Sequence, residues 1–581
     1  MSIIVLIMGH YPLTLSELLL TESATMDQLA VTRLGRDDQI DEKLNRQGLV
    51  AEVERLAARL AEQGLAGAPV LIPEKNSIEY VVAFLACLRA GSVAVTAHPP
   101  RPGGGGERLK AMVEDSRPAA VIATPTILES IDRQAEGLLA GIPRVDYMVP
   151  ADPPPFEESG LPLPDADAVG LLQYTSGSTR NPRPVMVSQA NLLANASVMR
   201  DLFGRDRPGG TVCWMPLYHD MGLIGLFLCT LLMERPVHLM DPESFVIRPE
   251  RWLRAMTNTG AAYSGGPCFA YDLCVDRIPP ERREGLDLSA WKFAFNGAEP
   301  IRPRAIRRFQ EAFGPHGFEA AMPCYGLAES TLLVSVRRED DPVRILKVDR
   351  SHLEAGELHP VGDEWAGELR ELVSCGLAIP DHEVVIRNPD TGERLPSGKI
   401  GEITIKGPSV ALGFQGDESA SAAAFPKELA GESGPWLKTG DLGGYVDDEL
   451  LVVGRLKDLL IVDGRNIHPS DIEAIAEQAH SGLSANHAAA FAMDGDAGER
   501  IGLVVELDRS AWRPIRSGEV DAAAFSAEVV AAIRSAISGG LGVAIEQLLV
   551  VAPGEVPRTT SGKVRRGACR DAVLAGVISS I

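Results

Sequence analysis

The sequence predicts an α/β fold with a large multilayer N-terminal domain, built on mixed and parallel sheets, and a smaller α/β C-terminal domain. Two observations carry this prediction. Short apolar runs typical of buried strands alternate with helical apolar periodicities, which is typical of parallel sheets covered by helices. The chain also has 581 residues, beyond the length at which a single hydrophobic core stops growing. We therefore expect more than one domain.

The alternation of helices and strands is clearest between residues 49 and 123. Apolar residues recur there at helical spacing or in short runs, and serine and glycine stand where helices begin and end. In chain order, the predicted elements are a helix carrying Leu49, Val53, Leu56, Ala57 and Leu60, a strand at 69–72, a helix at 78–90 capped by Ser77 and ended by Gly91, a strand at 93–97, a helix at 107–115 and a strand at 119–123.

Composition restricts the partners of this protein. Lysine and arginine total 56 against 79 aspartates and glutamates, a net charge of −23, which argues against nucleic-acid and anionic-membrane binding. An anionic substrate would need a locally basic pocket. Residues 2–8 are apolar, but they are too short for a membrane span and lack the basic flank of a signal peptide. No other stretch is expected to cross a bilayer.

The eight cysteines indicate a reducing compartment. They are scattered without paired metal-ligand spacing, and most lie in apolar surroundings. Both features are typical of buried, reduced thiols in a cytoplasmic protein.

A loop rich in hydroxyl residues follows the apolar run at 171–174. Thr175, Ser176, Gly177, Ser178 and Thr179 precede a second strand at 185–187, with Arg180 and Arg183 between. Hydroxyls, free backbone amides and guanidinium groups together suit a polyphosphate. The loop lacks the glycine spacing of a Walker loop, and no Gly-x-Ser-x-Gly elbow is present. Taken alone, a surface turn explains it equally well.

Five further segments carry polar residues in unusual settings, and each also has an ordinary explanation. The first holds His219 and Asp220 between aromatic and apolar residues, where a core histidine is the alternative. The second segment, 263–267, is interpreted as a turn. The third, 293–300, is interpreted either as a strand that ends near Asn296 and Glu299 or as the N-terminus of a helix. Glu329 follows Tyr325 by four residues and could be a surface glutamate. Residues 557–566 form a glycine-containing lysine loop or a charged turn.

Together and in this order, these segments resemble the adenylate-forming ligase superfamily, and within it the fatty acyl-AMP ligases. The resemblance runs from about Leu49 to Arg566. It rests on Gln173-Tyr174 before the hydroxyl loop, Pro216-Leu-Tyr-His-Asp-Met-Gly, Ser264-Gly-Gly-Pro, Phe295-Asn-Gly-Ala-Glu, Tyr325-Gly-Leu-Ala-Glu and Gly464-Arg-Asn. It implies ATP-dependent activation of a fatty acid and transfer of the acyl group to a holo-acyl carrier protein of a polyketide synthase or nonribosomal peptide synthetase. An acyl-CoA synthetase and a catalytically silent nucleotide- or lipid-binding module remain alternatives.

The resemblance also implies a role for each matching residue, with ATP and Mg²⁺ as cofactors. The catalytic residues would be Lys563, His219 and Glu329; the ATP-binding residues Thr175, Ser176, Gly177, Ser178, Thr179, Arg183, Asn296, Gly297, Ala298, Glu299, Tyr325, Gly326, Asp441 and Arg455; the hinge Lys457 and Asp458; the acyl pocket Tyr263, Gly265 and Gly266; and the metal ligands Glu329 and Thr179.

The resemblance places the domain boundary at 456–457, so the predicted domains are 1–456 and 457–581. It also marks residues 339–371 as an insertion, with a strand indicated by Ile345 and Val348 and a helical stripe indicated by Trp365, Leu369 and Leu372. We expect this excursion to be cheap to shorten.

Two departures from the family pattern are Arg183-Pro184, in place of the usual Lys-Gly, and Cys268, in place of asparagine. A last expectation is a basic helix face made by Arg304, Arg307 and Arg308, either a carrier-docking patch or an ordinary solvated face.

Overall fold

The computed structural model describes residues 26–35, 38–100, 106–150, 159–174, 183–204, 208–462, 465–493, 499–559 and 562–581. The hydroxyl loop 175–179, Arg180, Gly464 and the apolar segment 2–8 lie outside these residues. We use "large unit" for the described residues up to 456 and "C-terminal unit" for those from 457 onward.

Two large sheets form the body of the large unit. The nine-stranded sheet has six parallel strands at its centre and antiparallel strands toward its edges. Its order is Leu377–Ala378, Leu333–Val336, Ala321–Gly326, Phe293–Asn296, Tyr263–Gly266, Thr211–Cys213, Val237–Leu239, Leu29–Leu34 and Ile40–Asn45. The seven-stranded sheet has the order Gly413–Phe414, Pro184–Ser188, Val169–Tyr174, Val93–Ala97, Pro69–Pro73, Ala120–Ala123 and Arg144–Asp146. The predicted layered α/β architecture is confirmed.

Helices pack on and between these sheets. Their bounds are Arg46–Glu62, Ile78–Arg89, Glu107–Ser116, Pro125–Gln134, Gln189–Phe203, Cys229–Leu232, Pro242–Ile247, Glu250–Thr259, Cys268–Arg277 and Pro303–Phe313, with a π-helix at Met221–Leu228. The helix Ile78–Arg89 contacts strands of both sheets, and nearly all its side chains are buried. Its start is fixed by Ser77, whose side chain accepts a hydrogen bond from the backbone N–H of Tyr80 at 3.1 Å. An apolar helix without a polar face is what such a position requires.

The remainder of the large unit is a four-stranded antiparallel sheet and the predicted insertion. The sheet comprises Glu383–Arg387, Gly401–Lys406, Trp436–Val446 and Glu449–Arg455, with the helix Glu418–Ala424 nearby. In the insertion, Ile345–Asp349 pairs with Leu369–Val373, and a short helix covers Arg350–Glu354. The predicted strand is confirmed. The predicted helical stripe is wrong, because Leu369 and Leu372 lie in the second strand and Trp365 is exposed.

The insertion is not a surface excursion that could be shortened cheaply. Leu346, Val348 and Leu353 are buried in one cluster with Leu451 and Val453 of the four-stranded sheet. Removing the segment would expose those sheet residues to water, at about 25 cal/mol per Å² of apolar surface. The expectation from loop length alone is therefore wrong.

The C-terminal unit has its own apolar core. Its strands Leu483–Met493, Arg500–Leu507 and Ile545–Val551 form one sheet, Leu460–Val462 pairs with Arg465–Ile467, and its helices are Pro469–Gln478, Arg509–Arg516, Ala522–Leu541 and Arg566–Leu574. The helix Ala522–Leu541 is long and apolar enough to cross a bilayer, contrary to the expectation for this chain. Its apolar stripe, which includes Val529 and Ile533, packs into the core. The boundary at 456–457 stays a prediction.

Two more expectations can be compared with the structure. All eight cysteines are free, and seven of them are buried. The segment at 263–267, expected as a turn, is instead the central parallel strand Tyr263–Gly266. Its glycines allow close packing, because a Cβ on Gly265 would lie 2.4 Å from the carbonyl oxygen of Phe295.

A buried ion pair ties the first helices together, and we expect it to matter for stability. Arg89 Nε donates to Glu54 Oε1 at 2.5 Å with both side chains almost fully buried. Replacing Glu54 by alanine leaves a buried, unpaired guanidinium, so the free energy of unfolding should fall by about 3–5 kcal/mol. Urea denaturation measures this change. The exposed pair Asp132–Arg144 is the control: Asp132→Ala should not shift the midpoint, and equal shifts in both variants would contradict the account.

Candidate active site

A cavity of about 1630 Å³ lies between the large unit and the C-terminal unit, and both line it. The structure brings many of the predicted site residues to its wall. They are Arg183, His219, Ala298, Glu299, Tyr325, Gly326, Glu329, Asp441, Arg455, Lys457, Asp458 and Lys563. Thr175, Ser176, Gly177, Ser178 and Thr179 lie outside the described residues. The strands that flank them, Val169–Tyr174 and Pro184–Ser188, pair antiparallel, as the sequence predicts.

One side of the cavity is formed where parallel strands of the nine-stranded sheet end, the usual place for ligands in α/β folds. Ala298 and Glu299 follow the strand Phe293–Asn296 and reach the wall. Gly297 packs against the neighbouring strand, since a Cβ there would lie 2.9 Å from the Cys324 carbonyl oxygen. Asn296 is buried and does not line the cavity. This loop therefore presents its last residues to the cavity and uses its first two for packing.

Cys268, which stands where the family pattern has asparagine, makes two hydrogen bonds. Its thiol donates to the side-chain oxygen of Asn296 at 3.4 Å, and its sulfur accepts from the backbone N–H of Arg302 at the same distance. Burial raises the pKa of this thiol to about 11. Cys268 thus acts as a neutral support for the loop that carries Glu299.

Asp441 is held by two neighbours on the cavity wall. Its carboxylate accepts from the Tyr325 hydroxyl at 2.8 Å and from Arg455 Nε at 2.9 Å. Asp441 and Arg455 face each other across the hairpin of Trp436–Val446 and Glu449–Arg455, so strand register sets their separation. The Asp441 charge raises the pKa of Arg455. The carboxylate orientation is therefore fixed before any ligand arrives.

Glu329 suits a divalent cation. Burial raises the pKa of its carboxyl group, and the nearby carboxylates of Asp441 and Asp220 raise it further, whereas Arg455 opposes the rise. A carboxyl group whose ionised form is disfavoured by other carboxylates gains a cation readily. Among the described residues no group of three or more possible metal ligands occurs. Mg²⁺ held by one protein carboxylate together with nucleotide phosphates is compatible with this arrangement.

Lys563 reaches the cavity from the C-terminal unit and is partly buried there. Burial lowers the pKa of its ammonium group, and Arg455 lowers it further. Asp220, Glu299 and Asp441, all on the large unit, oppose that fall. A lysine that lines a cavity, has a lowered pKa and interacts with several carboxylates is a strong candidate for a functional group.

His219 and Asp220 form the next part of the wall. His219 Nδ1 lies 2.6 Å from Asp220 Oδ1, and Asp220 also accepts from the backbone N–H of Met221 at 2.7 Å. The π-helix Met221–Leu228 begins immediately afterwards. His219 is therefore not a core histidine, because it is only partly buried and lines the cavity.

The cavity wall also has an apolar part, which we call the apolar arm. The sequence reasoning missed the residues that line it, among them Met199, Phe203, Leu226, Phe295 and Leu332. Only the unbroken apolar run at 221–228 could have indicated them, and such a run equally predicts a core helix.

The predicted acyl-pocket residues lie behind this arm. The Tyr263 hydroxyl donates to the Phe203 carbonyl oxygen at 3.2 Å, and a Cβ on Gly266 would meet the ring of Trp214 at 2.5 Å. Gly265 packs on the backbone of Phe295. Tyr263, Gly265 and Gly266 thus hold the residues that form the wall.

Lys457 and Asp458 lie in a short 3₁₀ turn, Leu456–Asp458, that follows the last strand of the large unit. Asp458 accepts from Arg566 at 3.2 Å, and burial lowers the pKa of Lys457. This is the single covalent connection between the two units. Its role as a hinge stays a prediction.

The expected basic face is largely neutralised. Arg307 makes a bidentate pair with Glu371, with both distances 2.7 Å, and Arg308 pairs with Asp272 at 3.1 Å and with Asp276 at 2.5 Å. The arginines at 307 and 308 therefore present little unpaired charge to a carrier protein.

Arg183, the departure that follows the hydroxyl loop, stacks over the Phe414 ring and lies 3.8 Å from Asp417.

Comparison with known proteins identifies the family. The model of a family described as AMP-binding enzyme matches residues 21–414, more than half of the chain. The chain belongs to the family of AMP-binding enzymes. Its cavity is lined by residues both inside and beyond that span.

This AMP-binding enzyme is similar to proteins with recorded activities. It is 34% identical over 533 residues to the medium-chain-fatty-acid–[acyl-carrier-protein] ligase JamA of Moorena producens (strain JHB), covering 90% of this chain and 88% of JamA. It is 37% identical over 532 residues to the long-chain-fatty-acid–AMP ligase FadD26 of Mycobacterium tuberculosis (strain ATCC 25618 / H37Rv), covering 88% of each. A solved structure from a study of fatty acyl-adenylate ligases of E. coli and L. pneumophila matches with a TM-score of 0.81 and 32% identity, over 97% of this chain and 98% of that one.

The lowered pKa of Lys563 predicts the pH dependence of the AMP-binding enzyme. If the protonated ammonium is the active form, the contribution of Lys563 to kcat/KM for adenylation is complete below its free-enzyme pKa, which is lowered from 10.5, and is lost as pH rises through that pKa. Lys563→Arg keeps its charge throughout this range, so the alkaline fall should disappear in that variant. Tyr325 does not interfere, because burial raises its pKa well above 10. An unchanged alkaline fall in Lys563→Arg would contradict the assignment.

Proposed function

We propose that this enzyme activates a fatty acid with ATP, releasing pyrophosphate, and then transfers the acyl group to the phosphopantetheine thiol of a holo-acyl carrier protein. One observation carries the proposal: Lys563 of the C-terminal unit lines the same cavity as Glu329 and Asp441 of the large unit, and apolar residues such as Phe203 and Leu226 line it too. Such a cavity suits a ligand with an anionic head and an apolar tail. The recorded activities of the relatives support the same substrate class.

The chemistry needs no protein nucleophile. A carboxylate oxygen of the fatty acid attacks the α-phosphorus of ATP, a new C–O–P linkage forms, and the bond from that phosphorus to the bridging oxygen breaks as pyrophosphate leaves. The protein's task is to hold two anions in line and to offset the charge on the phosphoryl oxygens. Lys563 supplies a buried ammonium for that purpose. When bound, Mg²⁺ neutralises phosphate charge, and Glu329 is the carboxylate that would hold it, with Thr179 as a second proposed ligand.

The nucleotide-binding roles follow from the wall of the cavity. Asp441, oriented by Tyr325 and Arg455, is proposed to accept from the ribose hydroxyls. Ala298, Glu299 and Gly326 are proposed to border the adenine. The hydroxyl loop and Arg183, which follows it in the sequence, are proposed to hold the phosphates.

Transfer to the carrier uses a different set of groups. A thiol attacks the acyl carbonyl carbon, the thioester forms, and AMP leaves with the electrons of the broken C–O bond. The leaving group is a stable phosphate monoester, so the ammonium of Lys563 is not needed. We propose that rotation about Lys457 and Asp458 removes Lys563 and admits the carrier. The free thiols of the chain are compatible with a cytoplasmic location.

A direct assay tests this function. Purified enzyme is given ATP, a series of fatty acids and either free CoA or a holo-carrier protein, and acyl-adenylate, pyrophosphate and thioester are measured. We expect fatty-acid-dependent pyrophosphate release, and thioester on the carrier but little on CoA. Absence of pyrophosphate release would indicate a silent binding module, and equally efficient thioester formation with CoA would indicate an acyl-CoA synthetase.

Lys563→Ala should separate the two half-reactions. Removing the ammonium should slow acyl-adenylate formation on the order of 10²–10³-fold, as expected for one transition-state donor. Transfer from supplied acyl-adenylate to the carrier should stay near the wild-type rate. Lys399→Ala, which removes an exposed lysine paired with Glu357, is the control and should change neither rate. Equal loss of both half-reactions would contradict the role of Lys563.

We propose that the insertion holds the C-terminal unit in the orientation seen here. Glu354 makes a bidentate pair with Arg465 at 2.8 Å for both bonds, and its carbonyl oxygen accepts from Asn466 at 3.0 Å. A second insertion residue, Arg370, lies 2.9 Å from Asp471. These contacts join the insertion to the C-terminal unit directly.

Glu354→Ala should therefore loosen the C-terminal unit without disturbing the cavity. We expect acyl-adenylate formation within about fivefold of wild type, because one partly exposed ion pair is worth at most about 1 kcal/mol. Formation of acyl-CoA from free CoA should rise above the wild-type background in a coupled thioester assay. Glu357→Ala, in the same segment but paired with Lys399 of the large unit, should leave that background unchanged. No gain of acyl-CoA in Glu354→Ala would place acceptor choice elsewhere.

A further inference from the structure

The loop that carries Lys563 is a tight hairpin. Arg558 and Val564 form a β-bridge, and the backbone N–H of Thr559 donates to the Lys563 carbonyl oxygen at 2.8 Å. The Thr559 hydroxyl accepts from the backbone N–H of Lys563 at 3.0 Å. These bonds fix Lys563 relative to its own hairpin. They do not fix the hairpin relative to the large unit.

Asn486 connects this hairpin to the rest of the C-terminal unit. It lies in an irregular part of the strand Leu483–Met493, where the register shifts, and it has a left-handed φ of 65°. Asparagine tolerates that conformation better than most residues. Its carbonyl oxygen accepts from the guanidinium of Arg558 at the base of the hairpin.

The side chain of Asn486 points across to the large unit. Its amide nitrogen donates to Asp272 Oδ2 at 3.2 Å. Asp272 is buried on the helix Cys268–Arg277 and also accepts from Arg302 and Arg308, each at 3.1 Å. Its carboxylate is thus held in place by two guanidinium groups of the large unit. It offers a fixed acceptor to the amide.

The helix Cys268–Arg277 also contacts the hairpin itself. Phe269 is one helical turn before Asp272, on the same face. A Cβ on Gly562 would lie 3.1 Å from the ring of Phe269. Gly562, the residue before Lys563, therefore packs closely on this ring. One helix of the large unit contacts the Lys563 hairpin directly and also, through Asn486, at its base.

We propose that Asn486 is a positioning residue for adenylation, acting with Asp272 to set the place of Lys563 over the reacting phosphate. This inference rests on the proposed function. The side-chain amide of Asn486 bonds to Asp272 of the large unit, and its backbone carbonyl bonds to Arg558 at the base of the hairpin. The two contacts form one continuous chain from the large unit to the hairpin. A positional error of about 1 Å in a catalytic group can cost on the order of 10²-fold in rate. The contact joins the two units, so the proposed rotation of the C-terminal unit would break it, and we expect it to have no part in transfer to the carrier.

Asn486→Asp tests the proposal, because it retains size and backbone preference but places a carboxylate against that of Asp272. We expect kcat for acyl-adenylate formation to fall at least about tenfold, which corresponds to about 1.4 kcal/mol of transition-state stabilisation. KM for the fatty acid and the rate of transfer from supplied acyl-adenylate should stay unchanged. The double variant Asp272→Asn with Asn486→Asp restores a hydrogen bond with donor and acceptor exchanged, and it should recover part of the loss.

Controls separate this role from folding and from the proposed function. Asn388 accepts two backbone hydrogen bonds through its side-chain oxygen, which aspartate retains, so Asn388→Asp should behave as wild type. Hydrogen exchange of the hairpin amides at 558–565 should quicken in Asn486→Asp and not in Asn388→Asp. This readout needs no activity, so it tests the contact even if the wild type forms no acyl-adenylate. Unchanged adenylation and exchange in Asn486→Asp, or equal loss of both half-reactions, would overturn the proposal.

Discussion

The interaction on which the site depends is the burial of one ammonium group among carboxylates that belong to another part of the chain. Lys563 comes from the C-terminal unit, whereas Asp220, Glu299 and Asp441 come from the large unit. Charge burial is expensive unless partners offset it. The orientation of the two units is therefore coupled to the electrostatics of the cavity. Arg455 pairs with Asp441 and precedes the proposed hinge residues by two positions in the chain.

Much of the fold could be predicted because local pattern and tertiary role agree. The helix Ile78–Arg89 and the strands Val93–Ala97 and Ala120–Ala123 have the residues their burial requires. The strand Tyr263–Gly266 could not be recognised, because its two glycines read as a turn. They serve instead as points of close approach inside a sheet. In the insertion, the spacing of Trp365 and Leu369 imitates a helix, but the second strand of a hairpin decides the structure.

At the site, the polar residues could be predicted from the sequence better than the apolar wall residues and the ion pairs around them. Polar residues such as Glu329 and Lys563 stood out only because the order of several segments resembles a known family; alone, each of them also had an ordinary explanation as a surface residue or part of a charged turn. The apolar residues Phe203 and Leu226 did not, because a pocket wall and a core have the same composition. The pairing of Arg307 and Arg308 with acidic neighbours was also hidden, since Asp272 and Glu371 are distant in sequence. Contacts across long sequence separations decide whether a basic helix face is free.

The account requires that the orientation seen here serves adenylation alone. Cysteines introduced at Glu354 and Arg465, whose side chains meet across the two units, can be joined by a short bismaleimide to hold that orientation. The measurement is single-turnover acyl-adenylate formation and acyl transfer to holo-carrier protein, in the cross-linked enzyme and in the same variant left unlinked. The account predicts that the linked enzyme forms acyl-adenylate at the unlinked rate and does not acylate the carrier. Carrier acylation at the unlinked rate would contradict it.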